Sequence, residues 1–169
     1  MEDGSVCEVV SGLFLGSLNG LQHAKALGIR YIVSVLDGRA TALCNTSAFG
    51  VHYIDIPDLP SSNILEALPG AIKFIHKALT ESPDGSRVYV HCMAGVSRSV
   101  TIVAAYLMHT QGCNVEQAIQ HIRRVRRSAN PNDGFREQLH YWSSGLSGAL
   151  DYLEHNSKHH TAYTAFFRG

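Results

Sequence analysis

The sequence lacks the features that mark several large classes of protein. Its 14 basic and 14 acidic residues give a formal net charge of zero, which argues against a nucleic-acid or membrane partner recruited by bulk charge. The apolar run "VTIVAAYLM" is too short to cross a bilayer. The first ten residues are acidic, without a signal-peptide core or the Met-Gly start that myristoylation needs. We therefore expect no membrane insertion and a cytoplasmic or nuclear location.

Paired cysteines are also missing. The four cysteines, Cys7, Cys44, Cys92 and Cys113, are irregularly spaced and form no CxxC pair, a pattern that favours reduced thiols over a disulfide framework or a zinc site. The chain has no GxxxxGK[ST] motif for a nucleoside triphosphate. We expect neither a metal nor an organic cofactor, and the sequence does not predict an oligomeric state.

Strand-like and helix-like segments alternate along the chain. Strands are expected over 11–17, 29–36, 51–56 and 87–92, and helices over 18–28, 63–80, 97–110, 115–125 and 135–146. This alternation predicts an α/β fold with a central, mostly parallel twisted sheet flanked by helices on both faces. The periodicity ends near residue 150, so we predict one domain over 5–150 and a C-terminal tail over 151–169.

Two local patterns refine this prediction. Asn114 followed by Gln117 is typical of a capping box at the start of the helix over 115–125. The basic run "RRVRR", Arg123 to Arg127, is interpreted as a solvated helix face around a buried Val125.

The segment "VYVHCMAGVSRSV", Val88 to Val100, changes character at Cys92. An apolar β-branched run leads through small residues into a predicted helix, so the loop lies at a helix N-terminus. Backbone N–H groups converge there and the helix dipole adds positive potential, which suits a phosphate dianion. Ala94 and Gly95 leave room for the backbone to approach it.

The same environment favours a reactive cysteine. Thiols at helix N-termini can have pKa values of roughly 3.5–7.5, low enough for a thiolate to be present at neutral pH. Arg98 follows Cys92 after five residues, and its planar fork can bind two phosphate oxygens. Cys92 as nucleophile and Arg98 as clamp predict in-line attack on phosphorus through a cysteinyl-phosphate intermediate. A buried, inert cysteine at a strand end is the alternative.

The segment "VHCMAGVSRSV" resembles the catalytic loop of the dual-specificity protein phosphatases, small members of the cysteine-dependent protein-tyrosine-phosphatase superfamily. The segments "GLFLGS", "LGIRYIVSVL" and "SANPNDGF" are similar to other parts of that domain. The resemblance covers about Ser5 to Leu150. It implies a protein-tyrosine-phosphatase-like fold and identifies 5–150 as the catalytic domain.

The resemblance also implies roles for individual residues. The phosphoryl group is expected to contact the loop that follows Cys92, formed by Met93, Ala94, Gly95, Val96, Ser97 and Arg98. Ser99 matches the hydroxyl that helps the cysteine leave, and His91 the residue that orders the cysteine. Asn130 matches the asparagine that supports the loop.

A general acid must protonate the leaving group. In the family that the chain resembles, it is an aspartate on a loop roughly thirty residues before the cysteine, so Asp55 and Asp58 are candidates. Asp58 lies past Pro57, and "DLPSSN" resembles the acid loop of that family. Asp55 falls inside a strand pattern. Asp58 is favoured and Asp55 remains the alternative.

The expected activity is metal-free hydrolysis of phosphotyrosine and phosphoserine/threonine in a phosphorylated protein substrate. One alternative is a phosphatase of a phosphoinositide, an RNA 5′-phosphate or a glucan. The uncharged Met93, Val96 and Ser97 disfavour a highly anionic head group. Another is a phosphate-binding scaffold module without turnover, which the presence of Cys92 and Arg98 disfavours.

Overall fold

A five-stranded sheet organises the chain in the computed structural model, which describes residues 6–38, 46–81 and 85–145. Its strands are β1 (Val6–Val10), β2 (Leu13–Ser17), β3 (Ile29–Leu36), β4 (Gly50–Asp55) and β5 (Arg87–Cys92). The order is β1-β2-β5-β3-β4, and every neighbouring pair is parallel except β1 with β2. The predicted α/β fold with a mostly parallel sheet is confirmed.

The described residues include the α-helices α1 (Leu68–Thr80), α2 (Arg98–Gln111), α3 (Val115–Val125) and α4 (Asp133–Ser143). A 3-10 turn, Leu65–Ala67, precedes α1. The helix predicted over 18–28 is a 3-10 helix over Leu18–His23 only, in keeping with the poor helix propensity of Gly20. The predicted tail over 151–169 lies outside the described residues. None of the described helices is both long and apolar enough to cross a membrane.

The sequence patterns missed strand β1. It forms an antiparallel hairpin with β2, in which Cys7 lies opposite Leu15. Gly12, at the start of the first predicted strand, lies in the connecting turn with φ +79°, where a residue without a Cβ is favoured. Its N–H donates to a carboxylate oxygen of Glu8 at 2.8 Å, and this bond closes the hairpin.

The two faces of the sheet are covered unequally. Alternate residues of β2, β3 and β5, including Leu15, Val33 and Val90, belong to a large core cluster that they share with the helices. The intervening residues, including Phe14, Ile32 and Tyr89, form a smaller cluster that contains Ala24. This alternation is the expected consequence of the two-residue repeat of a strand.

Helix α2 runs through the centre of the molecule, as its apolar composition predicts. Every residue from Arg98 to Met108 is buried, and the helix ends at Gly112 in the left-handed conformation. The predicted capping box is present at α3, where Asn114 and Gln117 exchange side-chain to backbone hydrogen bonds. Because α2 begins directly after the loop from β5, its N-terminus is fixed against the carboxyl edge of the sheet.

Candidate active site

The loop between β5 and α2 brings Cys92 to the N-terminus of a buried helix. Cys92 is the last residue of β5 and is almost fully buried. Its Sγ accepts a hydrogen bond from the Gly95 N–H at 3.2 Å and lies 3.2 Å from Ser99 Oγ. The backbone after Cys92 therefore turns back toward the sulfur, as the sequence pattern predicts for an anion-binding loop.

Gly95 makes this curvature possible. Its φ is +69°, and a Cβ at this position would lie 2.5 Å from the backbone of Gly16 in β2. The Leu18 N–H donates to the Met93 carbonyl at 3.1 Å, so the loop also packs against the end of β2. Met93 and Ala94 are exposed, whereas Gly95 and Ser97 are buried.

Arg98 starts α2 and is anchored on one side only. Its Nη1 donates to the Ile56 carbonyl at 3.1 Å. Its buried Nε has no hydrogen-bond acceptor within the described part of the chain, and the nearest carboxylate oxygen, Asp58 Oδ2, is 3.7 Å away. A guanidinium held in this way keeps N–H donors available for an oxyanion.

Asp58 accepts hydrogen bonds from two other segments of the site. Its Oδ1 accepts hydrogen bonds from Ser97 Oγ at 2.7 Å and from Asn132 Nδ2 at 2.8 Å. Since Oδ1 is occupied by two donors, Oδ2 is the oxygen available to carry a proton. Asp55 is the last residue of β4 and, like Asp58, is exposed. The structure thus groups Asp58, not Asp55, with Ser97 and Arg98.

The support around Asp58 depends on a residue that the sequence reasoning did not select. The Asn132 N–H donates to Ser97 Oγ at 3.0 Å, and its side chain caps α4 by accepting from the Phe135 N–H at 2.9 Å. Asn132 therefore connects three segments: the loop after β4 that carries Asp58 (the acid loop), the loop between β5 and α2 (the cysteine loop), and helix α4. Its position before "DGF" matches an N-cap, which is the signal that could have identified it.

Asn130 contacts the cysteine loop through its main chain. Its N–H donates to the Val96 carbonyl at 2.8 Å. Its side-chain Oδ1 faces away and accepts hydrogen bonds from Arg123 and Arg136, both at 3.1 Å. Asn130 thus supports the cysteine loop through its backbone N–H, and Asn132 supports the same loop through its hydrogen bond to Ser97.

His91 is completely buried beside Cys92. Its Nδ1 lies 3.4 Å from the Cys92 carbonyl oxygen, and its ring stacks on Tyr89 with centroids 5.5 Å apart. Desolvation by burial lowers the pKa of His91 to about 4, against the opposing effect of the hydrogen bond to Cys92. His91 is therefore neutral at physiological pH and contacts the backbone of Cys92.

The interpretation of "RRVRR" as a solvated face around a buried Val125 is wrong. Val125 is 47% exposed and Arg126 only 8% exposed. Ile122 is the last buried residue of the α3 face, and Arg126 is four positions further on, so the helical repeat directs it inward. Its guanidinium donates to the carbonyl oxygens of Ala94 and Gly95 in the cysteine loop.

Metal-binding side chains do not gather elsewhere in residues 6–38, 46–81 and 85–145. No group of three or more His, Cys, Asp or Glu residues there could hold a metal ion. Cys7 and Cys113 are unpaired thiols, and Cys44 lies outside the described residues. The site consists of a cysteine at a helix N-terminus, a guanidinium and a carboxyl group, which together can carry out phosphoryl transfer through a cysteine nucleophile.

Comparison with known proteins agrees with this geometry. Residues 13–144 match the family model of the dual specificity phosphatase catalytic domain. Human dual specificity protein phosphatase 22 is 38% identical over 137 residues, which cover 78% of this chain and 70% of that protein. Human dual specificity protein phosphatase 15 is 34% identical over 146 residues, which cover 83% of this chain and 48% of the relative.

Solved structures show the same fold. The crystal structure of DUSP15 superimposes with a TM-score of 0.74 at 30% identity and covers 90% of this chain and 97% of that one. A human tyrosine phosphatase-like serine/threonine/tyrosine-interacting protein gives a TM-score of 0.76 at 31% identity, with coverage of 82% and 95%.

Proposed function

Because the chain belongs to the dual-specificity phosphatase catalytic-domain family, we propose that Cys92, Arg98 and Asp58 are the nucleophile, the phosphate clamp and the general acid of its reaction. The protein is a dual-specificity protein phosphatase, and the substrates of such an enzyme are phosphorylated proteins. The residue roles and the course of the reaction below are proposals for this chain.

In the first step, Cys92 Sγ attacks phosphorus in line with the ester oxygen. The S–P bond forms as the P–O bond breaks, and Asp58 Oδ2 transfers its proton to the departing oxygen. Arg98 and the loop N–H groups bind the three equatorial phosphoryl oxygens, where negative charge must be stabilised in the transition state. The dephosphorylated side chain leaves with a neutral hydroxyl.

In the second step, water hydrolyses the cysteinyl phosphate. Asp58, now a carboxylate, takes a proton from the water as its oxygen attacks phosphorus. The S–P bond breaks, and Ser99 Oγ, 3.2 Å from Sγ, donates a hydrogen bond to the departing thiolate. Inorganic phosphate leaves, and the enzyme returns to its starting state.

The rim of the site suits more than one phosphoamino acid. Met93 in the cysteine loop is 42% exposed, and Leu59, next to Asp58, is 52% exposed. Such apolar surface can pack against a phosphotyrosine ring without requiring one. The relatives are named dual specificity protein phosphatases, so a non-protein substrate and a non-catalytic scaffold are both disfavoured.

Two observations carry the proposed roles. The Gly95 N–H donates to Cys92 Sγ at 3.2 Å, and the buried Arg98 Nε, 3.7 Å from Asp58 Oδ2, has no hydrogen-bond acceptor within the described residues. The test compares Cys92→Ser with Cys113→Ser, which replaces a half-buried thiol outside the site. Purified variants are assayed on one phosphotyrosine and one phosphothreonine peptide. Rapidly quenched wild-type protein is examined by mass spectrometry for a phosphoryl group on Cys92.

We expect Cys92→Ser to lose hydrolysis of both peptides and Cys113→Ser to keep it. The phosphoryl group should be found on Cys92 in the quenched wild type. Hydrolysis that survives Cys92→Ser would contradict the cysteinyl-phosphate mechanism.

A further inference from the structure

One arginine of the "RRVRR" run is buried against the back of the cysteine loop. Arg123, Arg124 and Arg127 are exposed, whereas Arg126 is 8% exposed. Helix α3 ends at Val125, and Arg126 leaves the helical conformation with φ −139° and ψ 88°. Burial of a guanidinium is costly unless its donors are bonded, so its contacts require explanation.

Arg126 holds two consecutive carbonyl groups of the loop. Its Nη2 donates to the Ala94 carbonyl at 2.9 Å, and its Nε donates to the Gly95 carbonyl. Nη1 lies 3.8 Å from Cys7 Sγ in β1. A Cβ on Gly95 would approach Nη2 to 2.7 Å, so the guanidinium packs directly against the loop backbone.

These contacts determine where the loop N–H groups point. In a trans peptide group the C=O and N–H bonds point in opposite directions. The carbonyls of Ala94 and Gly95 face Arg126, so the N–H groups of Gly95 and Val96 face the other side of the loop. The Gly95 N–H indeed donates to Cys92 Sγ at 3.2 Å.

The positive charge of Arg126, like the orientation of the loop N–H groups, favours the binding of an anion by the cysteine loop. A cation that binds a carbonyl oxygen polarises the peptide group and makes the N–H of that group a stronger donor. Arg126 also places a positive charge behind the loop, on the side away from the phosphoryl group. Both effects strengthen the binding of a phosphoryl dianion that Arg126 does not touch.

We propose that Arg126 is a positioning residue of the phosphate-binding loop, which orients and polarises the Gly95 and Val96 N–H groups from behind. The proposal rests on the proposed function of the loop as a phosphoryl site. It assigns to Arg126 a part of the affinity for the phosphoryl group that Arg98 alone does not supply.

The test measures phosphate affinity without turnover. Inorganic phosphate is titrated into the wild type and into Arg126→Gln, Arg126→Lys and Arg124→Gln, and the backbone amide NMR signals of the cysteine loop are followed. Arg124 is exposed, lies in the last turn of α3 two residues before Arg126, and loses the same charge on substitution, so Arg124→Gln is the matched control. Thermal unfolding confirms that each variant is folded at the titration temperature.

We expect the Kd for phosphate to rise about tenfold in Arg126→Gln, equivalent to ~1.4 kcal/mol, and to change less than about twofold in Arg124→Gln. Arg126→Lys should be intermediate, since an ammonium keeps the charge but cannot hold both carbonyls as a planar fork does. A folded Arg126→Gln that binds phosphate as the wild type does would overturn the proposal. If Arg126→Gln does not fold, a wild-type Kd in Arg126→Lys overturns it and a weaker one supports it.

This outcome is separable from that of the proposed function. If the wild type fails to hydrolyse the phosphopeptides while Arg126→Gln still weakens phosphate binding, the proposed function fails and the role of Arg126 stands. If hydrolysis is present and the Arg126 variants bind phosphate normally, only the role of Arg126 fails.

Discussion

Asp58 shows how a single carboxyl group is prepared by its neighbours. Ser97 Oγ and Asn132 Nδ2 both donate to Oδ1, which fixes the rotation of the carboxyl group. Oδ2 is left on the side of Arg98, where the bridging oxygen of a bound ester would lie. Positioning of this kind is what a general acid needs before its proton affinity matters.

Asp58→Asn removes the proton donor but can retain the hydrogen bonds. We expect kcat/KM for a phosphothreonine peptide to fall about 10²–10⁴-fold, the usual contribution of general acid catalysis. The loss should be much smaller for an aryl phosphate with an acidic phenol, since that leaving group departs without a proton. Steady-state kinetics on both substrates check this, with Asp55→Asn as control. The same loss in Asp55→Asn alone would transfer the role to Asp55.

The variant Arg98→Lys tests the proposed bidentate binding of two phosphoryl oxygens by Arg98. A lysine retains the charge but cannot donate to two phosphoryl oxygens and to the Ile56 carbonyl together. We expect kcat/KM to fall by about 10²–10³-fold, as for the loss of one transition-state donor elsewhere, with the fall in kcat exceeding any rise in KM. An Arg98→Lys enzyme with near wild-type kcat would contradict the bidentate role.

At the scale of elements, the first turn of α4 determines where the acid loop can lie. Gly134 faces Pro60, two residues after Asp58, and a Cβ on Gly134 would lie only 1.9 Å from the Pro60 carbonyl oxygen. The loop can thus reach Ser97 and Asn132 only because position 134 carries no side chain.

Gly134→Ala should therefore displace Asp58 without changing any reacting group. We expect it to reproduce the kinetic pattern of Asp58→Asn, with a large loss on the phosphothreonine peptide and a smaller loss on the activated aryl phosphate. Gly70→Ala is the matched control, since Gly70 is also in the first turn of a helix and its Cβ would meet only His52 at 3.5 Å. Equal losses on both substrates would show that Gly134→Ala damages the whole site, not the acid loop.

At the scale of the whole molecule, function depends on the carboxyl edge of the parallel strands. Strands β2 and β5 run side by side, with Ser17 opposite Cys92, and β4 ends at Asp55 on the same edge. The loops that follow β4 and β5 therefore meet there, as is usual for ligand sites of open α/β sheets. The buried strand β5 that carries Cys92 also buries His91, which links stability to pH.

The free energy of unfolding should decrease as the pH falls from about 6.5 to 4. The pKa of His91 is lowered to about 4 by burial, so the unfolded chain binds a proton in this range before the folded chain does. Protonation of His91 leaves the free energy of unfolding almost unchanged above about pH 6.5 and lowers it by about 3 kcal/mol near pH 4. Burial also lowers the pKa values of His52 and His109, which act in the same direction.

Urea unfolding of the wild type and His91→Phe at several pH values measures this contribution. Phe can keep the stacking on Tyr89 but cannot take up a proton, so the variant should lose less stability than the wild type between pH 6.5 and 4. His76→Phe replaces an exposed histidine of α1 that contributes, after burial, to the lowered pKa of His109, so this variant should differ from the wild type less than His91→Phe does. Parallel curves for His91→Phe and the wild type would rule out protonation of His91 as a cause of acid sensitivity.

Local sequence determined the parts of this protein that depend on neighbouring residues. The β-branched run before Cys92 predicts a buried strand, the apolar "VTIVAAYLM" a central helix, and Asn114 with Gln117 a helix start, and the structure has all three. The spacing of Cys92 and Arg98 places both at one helix N-terminus. Each of these features depends on periodicity or on a few consecutive residues, which a single sequence displays directly.

Tertiary structure alone decided the features that depend on contacts between distant segments. The pairing of β1 with β2, the hydrogen bonds of Asn132 to Asp58, and the burial of Arg126 against Ala94 and Gly95 join residues far apart in the chain or separated by a turn. Polar side chains such as these are ordinarily exposed. The burial of Arg126 occurs because the folded chain brings the carbonyl acceptors of Ala94 and Gly95 to it, and no local pattern specifies those acceptors.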